Sequence, residues 1–378
     1  MRQIDRDLGL GIEPAQGVAH GLRAALASHV VDLHEQFLAR LAHRRPPRLR
    51  RLGAAGEGQR ATATFDNAGR SPYRPRSTDK ASMSPQPAAG ADIDIVAGLA
   101  GMAPSYDVVF CDVWGVLHNG ITAFAGASDA LTRYRAGGGR VVLISNAPRP
   151  GAALAPQLDR IGVPRTAYDA ILTSGDLTRA AVVERLGQVV HHLGPERDLA
   201  IFAGLAVRFG AVEQADYVVC SGFHNDEVET VEDYGDALAA MRARSLWMLC
   251  ANPDIVVERG DRLVPCAGAI AAAYEAIGGD VYWAGKPHRP VYDEALAISA
   301  RLLACERVPV DRVLAVGDAM RTDIAGAAAL GIDSLLVARG IHAAEIGAQD
   351  GPLDPARVGR WLAGQEVRPT AVVDTLTW

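Results

Sequence analysis

From Ile93 onward, short apolar runs alternate with segments of helical periodicity, and this alternation constrains the fold more than any other feature of the chain. Strand-like runs fall at 108–111, 140–144, 170–172, 199–202, 217–220, 246–250, 281–283, 313–316 and 334–337. Helical patterns at 128–136, 177–186, 231–243, 268–276, 291–303 and 324–330 separate most of them. Strands alternating with helices of this length build βαβ units around a parallel sheet. The expected class is therefore α/β, and the chain contains no internal repeat.

With 378 residues there is room for two domains and a sizeable core. The net charge of −6 gives no bulk reason to expect a nucleic-acid partner. The five cysteines form no CxxC pair and lie mostly in apolar runs, which reads as reduced thiols in a cytoplasmic protein. The first residues lack a signal-peptide pattern, and no apolar run approaches the ~18 residues of a membrane span.

Residues 1–90 differ from the rest and read as a basic, mostly disordered N-terminal extension. Residues 1–82 carry 14 Lys+Arg against 8 Asp+Glu, and beyond residue 43 they are rich in Arg, Pro, Gly and Ser. Such a stretch cannot bury enough apolar surface to offset its chain entropy. One island, Leu22, Leu26, Val30, Leu33, Phe37 and Leu41, has the spacing of an amphipathic helix. It fits a helix docking on a partner or an anionic membrane, a helix packed on its own core, or a translated leader upstream of Met83. Residues 1–82 are expected to be dispensable for catalysis.

Four stretches could carry chemistry. The apolar run 108–111 ends on Asp112, and ligands of open α/β sheets bind beyond the carboxyl ends of strands. An Asp there also serves commonly as a turn or cap residue. The run 140–144 ends in Ser145 and Asn146, a phosphate cradle or a helix N-cap. Lys286, between Gly285 and Pro287, is one of only two lysines against 36 arginines. Arg is the planar bidentate cation and Lys the compact point charge, so a lone Lys in an Arg-writing chain suggests a site needing one small ammonium among crowded oxygens. Last, Gly317 leads to Asp318, then to Thr322 and Asp323 opening a helix, a hard-cation site or a capped helix. Three carboxylates, a hydroxyl and an ammonium beyond four strands form the inventory for phosphoryl transfer to a carboxylate with Mg²⁺.

In order, Asp-Val-Trp-Gly-Val from Asp112, Ser145-Asn146, Gly285-Lys-Pro and Gly317-Asp-Ala-Met-Arg-Thr-Asp resemble the four motifs of the haloacid dehalogenase-like superfamily. Ile171-Leu-Thr-Ser-Gly, Ala251-Asn-Pro-Asp and the helix at Gly268 resemble its class IIA, which contains nucleotide, pyridoxal-phosphate and 4-nitrophenyl phosphatases. The resemblance spans about residues 95–345. It implies a Rossmann-like parallel-sheet core at 91–179 and 276–378, with an α/β cap inserted at 180–275. It implies Asp112 as nucleophile, Lys286 orienting it and neutralising the phosphoryl group, and Ser145 with the Asn146 backbone binding that group. Mg²⁺ would be held by Asp112, Asp318 and the carbonyl of Trp114, with Asp323 supporting, and Asn252 and Asp254 would face the substrate from the cap. The expected partner is a small phosphorylated metabolite, with a homo-oligomer formed through the cap.

One position departs from the resemblance. Where such phosphatases carry an Asp two residues past the nucleophile, as the acid that protonates the leaving group, this chain has Trp114. General acids contribute typically ~10²–10⁴-fold. The expectation is that alkyl phosphates are poor substrates. The rival expectation is that Trp114 stacks on a planar substrate group while His118 or a cap residue donates the proton. A phospho-ligand-binding protein with little turnover is the alternative from a different class. A carbon–halogen hydrolase using Asp112 without metal is disfavoured by Asp318 and Asp323.

Overall fold

The computed structural model describes residues 93–259 and 262–378. The 22–41 helix and the basic extension lie outside the described residues. In chain order the strands are β1 (Asp94–Val96), β2 (Val108–Cys111), β3 (Arg140–Ser145), β4 (Ala170–Thr173), β5 (Val189–Leu193), β6 (Arg208–Phe209) and β7 (Tyr217–Cys220). There follow β8 (Trp247–Cys250), β9 (Val256–Arg259), β10 (Arg262–Pro265), β11 (Asp280–Trp283), β12 (Val313–Gly317), β13 (Asp333–Val337) and β14 (Ala371–Val373).

Two parallel sheets result. The first has seven strands in the order β1-β14-β13-β12-β2-β3-β4. The second has five, β11-β8-β7-β5-β6, and β9 and β10 form a separate antiparallel hairpin. The chain leaves the first sheet after β4, builds the second from β5 to β11, and returns at β12. The fold is thus α/β as expected, a Rossmann-like sheet with a smaller α/β sheet inserted. The inserted sheet runs to Trp283, past the boundary at 275 read from the sequence, because β11 hydrogen-bonds to β8 along its whole length.

The centre of the first sheet explains its apolar runs. Every residue of β2 and β12 is buried, as in a strand covered on both faces. Val109 and Cys111 pack with Leu131 and Tyr134 of the helix Ala125–Ala136. Val108 and Phe110 point the other way, onto Val291 and Tyr292 of the helix Arg289–Leu302. At the amino end of these strands Arg312 forms a buried bidentate pair with Asp107 at 2.8 and 3.0 Å. The carboxyl ends are left for chemistry.

Some elements differ from the sequence reading. Residues 199–202, read as a strand, lie in a 3₁₀ helix, Glu196–Phe202, begun by Pro195 and burying Ile201 and Phe202. An apolar run of four has no periodicity that separates the two states. β5 is Val-Val-His-His-Leu, and its two histidines interrupt the apolar signal. The helix Gly151–Ile161 carries Pro156 in its interior, which hides it from a pattern search. Among the described residues no helix is long and apolar enough to cross a membrane, and all five cysteines are unpaired.

Candidate active site

Each strand end delivers one polar group. β2 pairs with both β3 and β12, so the residues following all three emerge side by side. Asp112 follows β2, and its N–H donates to the Val316 carbonyl at 2.8 Å. Asp318 follows β12, and Ser145 is the last residue of β3. From the inserted sheet, β8 leads into Asn252-Pro253-Asp254 and β11 into Ala284-Gly285-Lys286. The site lies where the chain passes between the sheets.

Lys286 stands at its centre, its side chain 5% exposed. Its Nζ donates to Asp112 Oδ1 at 2.6 Å and to Asp323 Oδ1 at 2.7 Å. Asp323 reaches it from a π-helical turn, Met320–Ile324, a geometry often found at functional sites. Burial disfavours the ammonium, but the Asp112 and Asp323 carboxylates outweigh it and hold the Lys286 pKa well above its ordinary value.

Carboxylate oxygens of Asp112, Asp318 and Asp323 lie within 4.8 Å of one another. Lys286 bonds two of them, and Asp318 receives the Ile341 N–H at 2.8 Å. Three closely set carboxylates, two of them buried, thus have one ammonium among them. Burial, then repulsion from Asp112 and Asp323, raises the Asp318 pKa well above the carboxylate range. Burial and Asp112 raise Asp323 to about 6 against the pull of Lys286. An oxygen-rich cluster with excess negative charge is what a hard divalent cation takes, so these residues fit a metal and could hold one. Gly115 lets the next loop pass close by: its φ is +78°, and a Cβ there would overlap the Asp318 carboxylate.

Asn146 ties the inserted sheet to this centre. Its Oδ1 accepts from the Lys286 N–H at 2.8 Å, and its Nδ2 donates to the Lys286 carbonyl at 3.0 Å and to Asp254 Oδ1 at 2.8 Å. Asn252 does not join this network directly; its Oδ1 accepts from the Asp254 N–H at 3.0 Å. Ser145 Oγ accepts from the Ala147 N–H at 3.2 Å. Sequence reasoning missed Ser174, whose Oγ donates to Asn146 Oδ1 at 3.4 Å, and Ile341, whose contribution is a backbone N–H. The Thr173-Ser174-Gly175 stretch was a signal for the first; a backbone donor leaves none.

Trp114 stands on the loop after Asp112, 39% exposed. Its ring meets His118 edge-on at 5.3 Å between centroids. Gly120, with φ +89°, leaves the room the indole fills, since a Cβ there would overlap the ring. His118 is buried, its Nδ1 accepts from the Gly120 N–H at 2.9 Å, and its Nε2 has no partner. Burial lowers its pKa, so the ring is neutral.

Comparison with known proteins gives a consistent picture. Residues 109–208 match the haloacid dehalogenase-like hydrolase family and residues 283–378 a second, HAD-hydrolase-like, family. The solved structure of a haloacid dehalogenase-like family hydrolase from Brucella suis is 44% identical. The match covers 75% of this chain and 100% of that one, with a TM-score of 0.65. A D-glycerol 3-phosphate phosphatase of Mycobacterium tuberculosis is 29% identical over 251 residues, 65% of this chain and 67% of the relative. A glycerol phosphate phosphatase from the same organism, solved in complex with magnesium, is 27% identical. That match covers 68% of this chain and 77% of the other, with a TM-score of 0.50. With family matches at both ends of the described chain and a 44% identical relative covered along its full length, the chain belongs to the haloacid dehalogenase-like hydrolases, class IIA.

Proposed function

We propose that this protein is a Mg²⁺-dependent phosphatase that cleaves small phosphate monoesters through an aspartyl-phosphate on Asp112. The observation that carries the reading is the Lys286 ammonium, bonded at once to Asp112 and Asp323 beside a third carboxylate, Asp318. The similarity to a glycerol phosphate phosphatase activity of Mycobacterium tuberculosis, met both in a curated sequence and in a structure solved with magnesium, supports it.

In this reading Lys286 fixes the Asp112 carboxylate through Oδ1, leaving Oδ2 to attack phosphorus. The same ammonium draws charge from the phosphoryl oxygens. Ser145 Oγ and the backbone of Asn146, just past β3, receive the phosphoryl group. Asp112, Asp318 and the Trp114 carbonyl would hold Mg²⁺, with Asp323 supporting through Lys286. When bound, the ion neutralises phosphoryl charge and offsets the repulsion between the carboxylates. Asn252 and Asp254 meet the substrate from the inserted sheet, which acts as a cap over the site. The unpaired thiols suit a cytoplasmic setting.

The test is phosphate release from a panel of phosphate monoesters, with Mg²⁺ and with chelator, for the wild type and Asp112→Asn. Turnover that needs Mg²⁺ and vanishes in Asp112→Asn is expected. Turnover within tenfold of wild type in Asp112→Asn removes Asp112 as nucleophile.

A further inference from the structure

The phosphoryl transfer proposed above, on which this inference rests, expels the oxygen of an alcohol. An alkoxide departs slowly unless a proton reaches it as the bond breaks. Trp114 stands two residues past Asp112 and carries no titratable proton. The groups around Asp112 narrow the choice of donor. His118 is buried and neutral, with Nδ1 engaged by the Gly120 N–H. Lys286 gives two of its three protons to Asp112 and Asp323, and those carboxylates hold it as the ammonium, a poor proton donor. Asp318 and Asp323 belong to the carboxylate cluster that a cation would neutralise. One acid remains.

That acid is Asp254, on the loop after β8. Its backbone N–H is fixed by Asn252 Oδ1 at 3.0 Å, and its Oδ1 accepts from Asn146 Nδ2 at 2.8 Å. Its Oδ2 has no partner among the described residues, so one oxygen is anchored and the other is open. Asn146 grips the backbone of Lys286 on both sides, N–H and carbonyl, at 2.8 and 3.0 Å. A single amide therefore sets Asp254 against the residue whose ammonium holds the attacking carboxylate. The two carboxylates also sense each other: burial is the main cause that raises Asp112, and Asp254 adds a smaller part. We propose that Asp254 donates the proton to the leaving oxygen of the substrate, the role Trp114 cannot fill.

The step balances. Asp112 Oδ2 bonds to phosphorus as the ester P–O bond breaks. The electron pair of that bond passes to the alcohol oxygen, which takes the proton from Asp254 Oδ2. The products are the neutral alcohol, the aspartyl-phosphate and the Asp254 carboxylate. Water then attacks phosphorus and gives its proton back to Asp254, which releases phosphate and restores both side chains. The environment suits a carboxyl that holds its proton. Burial raises the Asp254 pKa and the Asp323 carboxylate adds to it, against the Asn146 hydrogen bond and the Lys286 charge. From its own sheet the neighbouring titratable groups are the Cys250 and Cys266 thiols, both kept neutral by burial.

The experiment measures kcat for 4-nitrophenyl phosphate, phenyl phosphate and glycerol 3-phosphate at saturating Mg²⁺, in the wild type, Asp254→Asn and Asp254→Glu. Asn is isosteric and keeps an oxygen for Asn146 Nδ2, so the fold should stand; the melting temperature checks it. Asp254→Asn should lose about 10²- to 10⁴-fold on glycerol 3-phosphate and under about tenfold on 4-nitrophenyl phosphate. The plot of log kcat against leaving-group pKa should steepen, and the wild-type loss of glycerol 3-phosphate turnover at high pH should vanish. If Asp254→Asn unfolds, Asp254→Glu is read on the same plot and should lie between. An unchanged slope, or equal losses on all three esters, overturns the assignment while leaving the phosphatase reading intact. A wild type that hydrolyses none of the three overturns both.

Discussion

Replacing Lys286 by Met removes the one ammonium among three closely set carboxylates, two of them buried, and tests whether they depend on it. The side chain is 5% exposed and makes two charge-assisted bonds, at 2.6 and 2.7 Å. Hydrogen bonds to charged groups contribute about 1.5–3 kcal/mol each. Breaking a buried pair by removing one partner costs about 3–5 kcal/mol, because the other charge is left uncompensated. The second figure is the better guide here, since burying the ammonium also carried a desolvation cost that Met does not. At roughly 2 °C per kcal/mol, the low end for large domains, the melting temperature should fall by roughly 6–10 °C in chelator.

The loss should depend on pH with a definite sign. Asp318 and Asp323 already sit above their ordinary values in the fold, Asp323 at about 6. Acids raised in the folded state favour folding when protonated and oppose it as pH rises through their folded values. Without Lys286 they rise further, so the deficit should be larger at pH 8 than at pH 5.5. The assay is thermal unfolding of both proteins with chelator at the two pH values. A shift under about 2 °C at pH 8, or one independent of pH, would refute the view that three charges share one cation.

Two further experiments probe the same region. In the proposed site Asp318→Asn would remove one of two direct carboxylate ligands, and Mg²⁺ keeps few protein ligands; the Mg²⁺ needed for half-maximal turnover should rise more than tenfold. The wild-type rise in melting temperature on adding Mg²⁺ should shrink in parallel, and an unchanged titration would put the ion elsewhere. Gly120→Ala sets a Cβ at φ +89° against the Trp114 ring, and should cost about 1–3 kcal/mol of stability; removing the ring as well, with Trp114→Ala, should recover the part due to the clash. Thermal unfolding of the single and double variants reads it, and a loss unaltered by Trp114→Ala would show that φ alone is responsible.

Much of the fold was legible because parallel strands buried on both faces write continuous apolar runs, as at 108–111 and 313–316, and the residues after those runs mark the ligand-facing edge. Lys286 stood out by contrast with 36 arginines, and the structure gives it two carboxylates to serve. What stayed hidden has local causes. The 199–202 run is too short for periodicity to choose between strand and helix, and its 3₁₀ form follows from Pro195 and from the packing of Ile201 and Phe202. β11 could not be assigned to a sheet from sequence, because the choice between sheets is a tertiary pairing with β8. The link from Asn146 to Asp254, 108 residues apart, is likewise invisible until the chain has folded. The departure at Trp114 was plain in the sequence, but its physical setting needed coordinates: the indole is seated over Gly120 and His118 is buried beside it.

The central claim is a covalent bond between Asp112 and phosphorus, and it can be observed. The enzyme is mixed with a phosphate ester and Mg²⁺, quenched with acid within the first turnover, and its peptides are mapped by mass spectrometry. A hydroxylamine-labile phosphoryl group on the peptide containing Asp112, absent from Asp112→Asn, is the expected result. Phosphate released in the first turnover with no phosphorylated enzyme, or a phosphoryl group on any other residue, would contradict it.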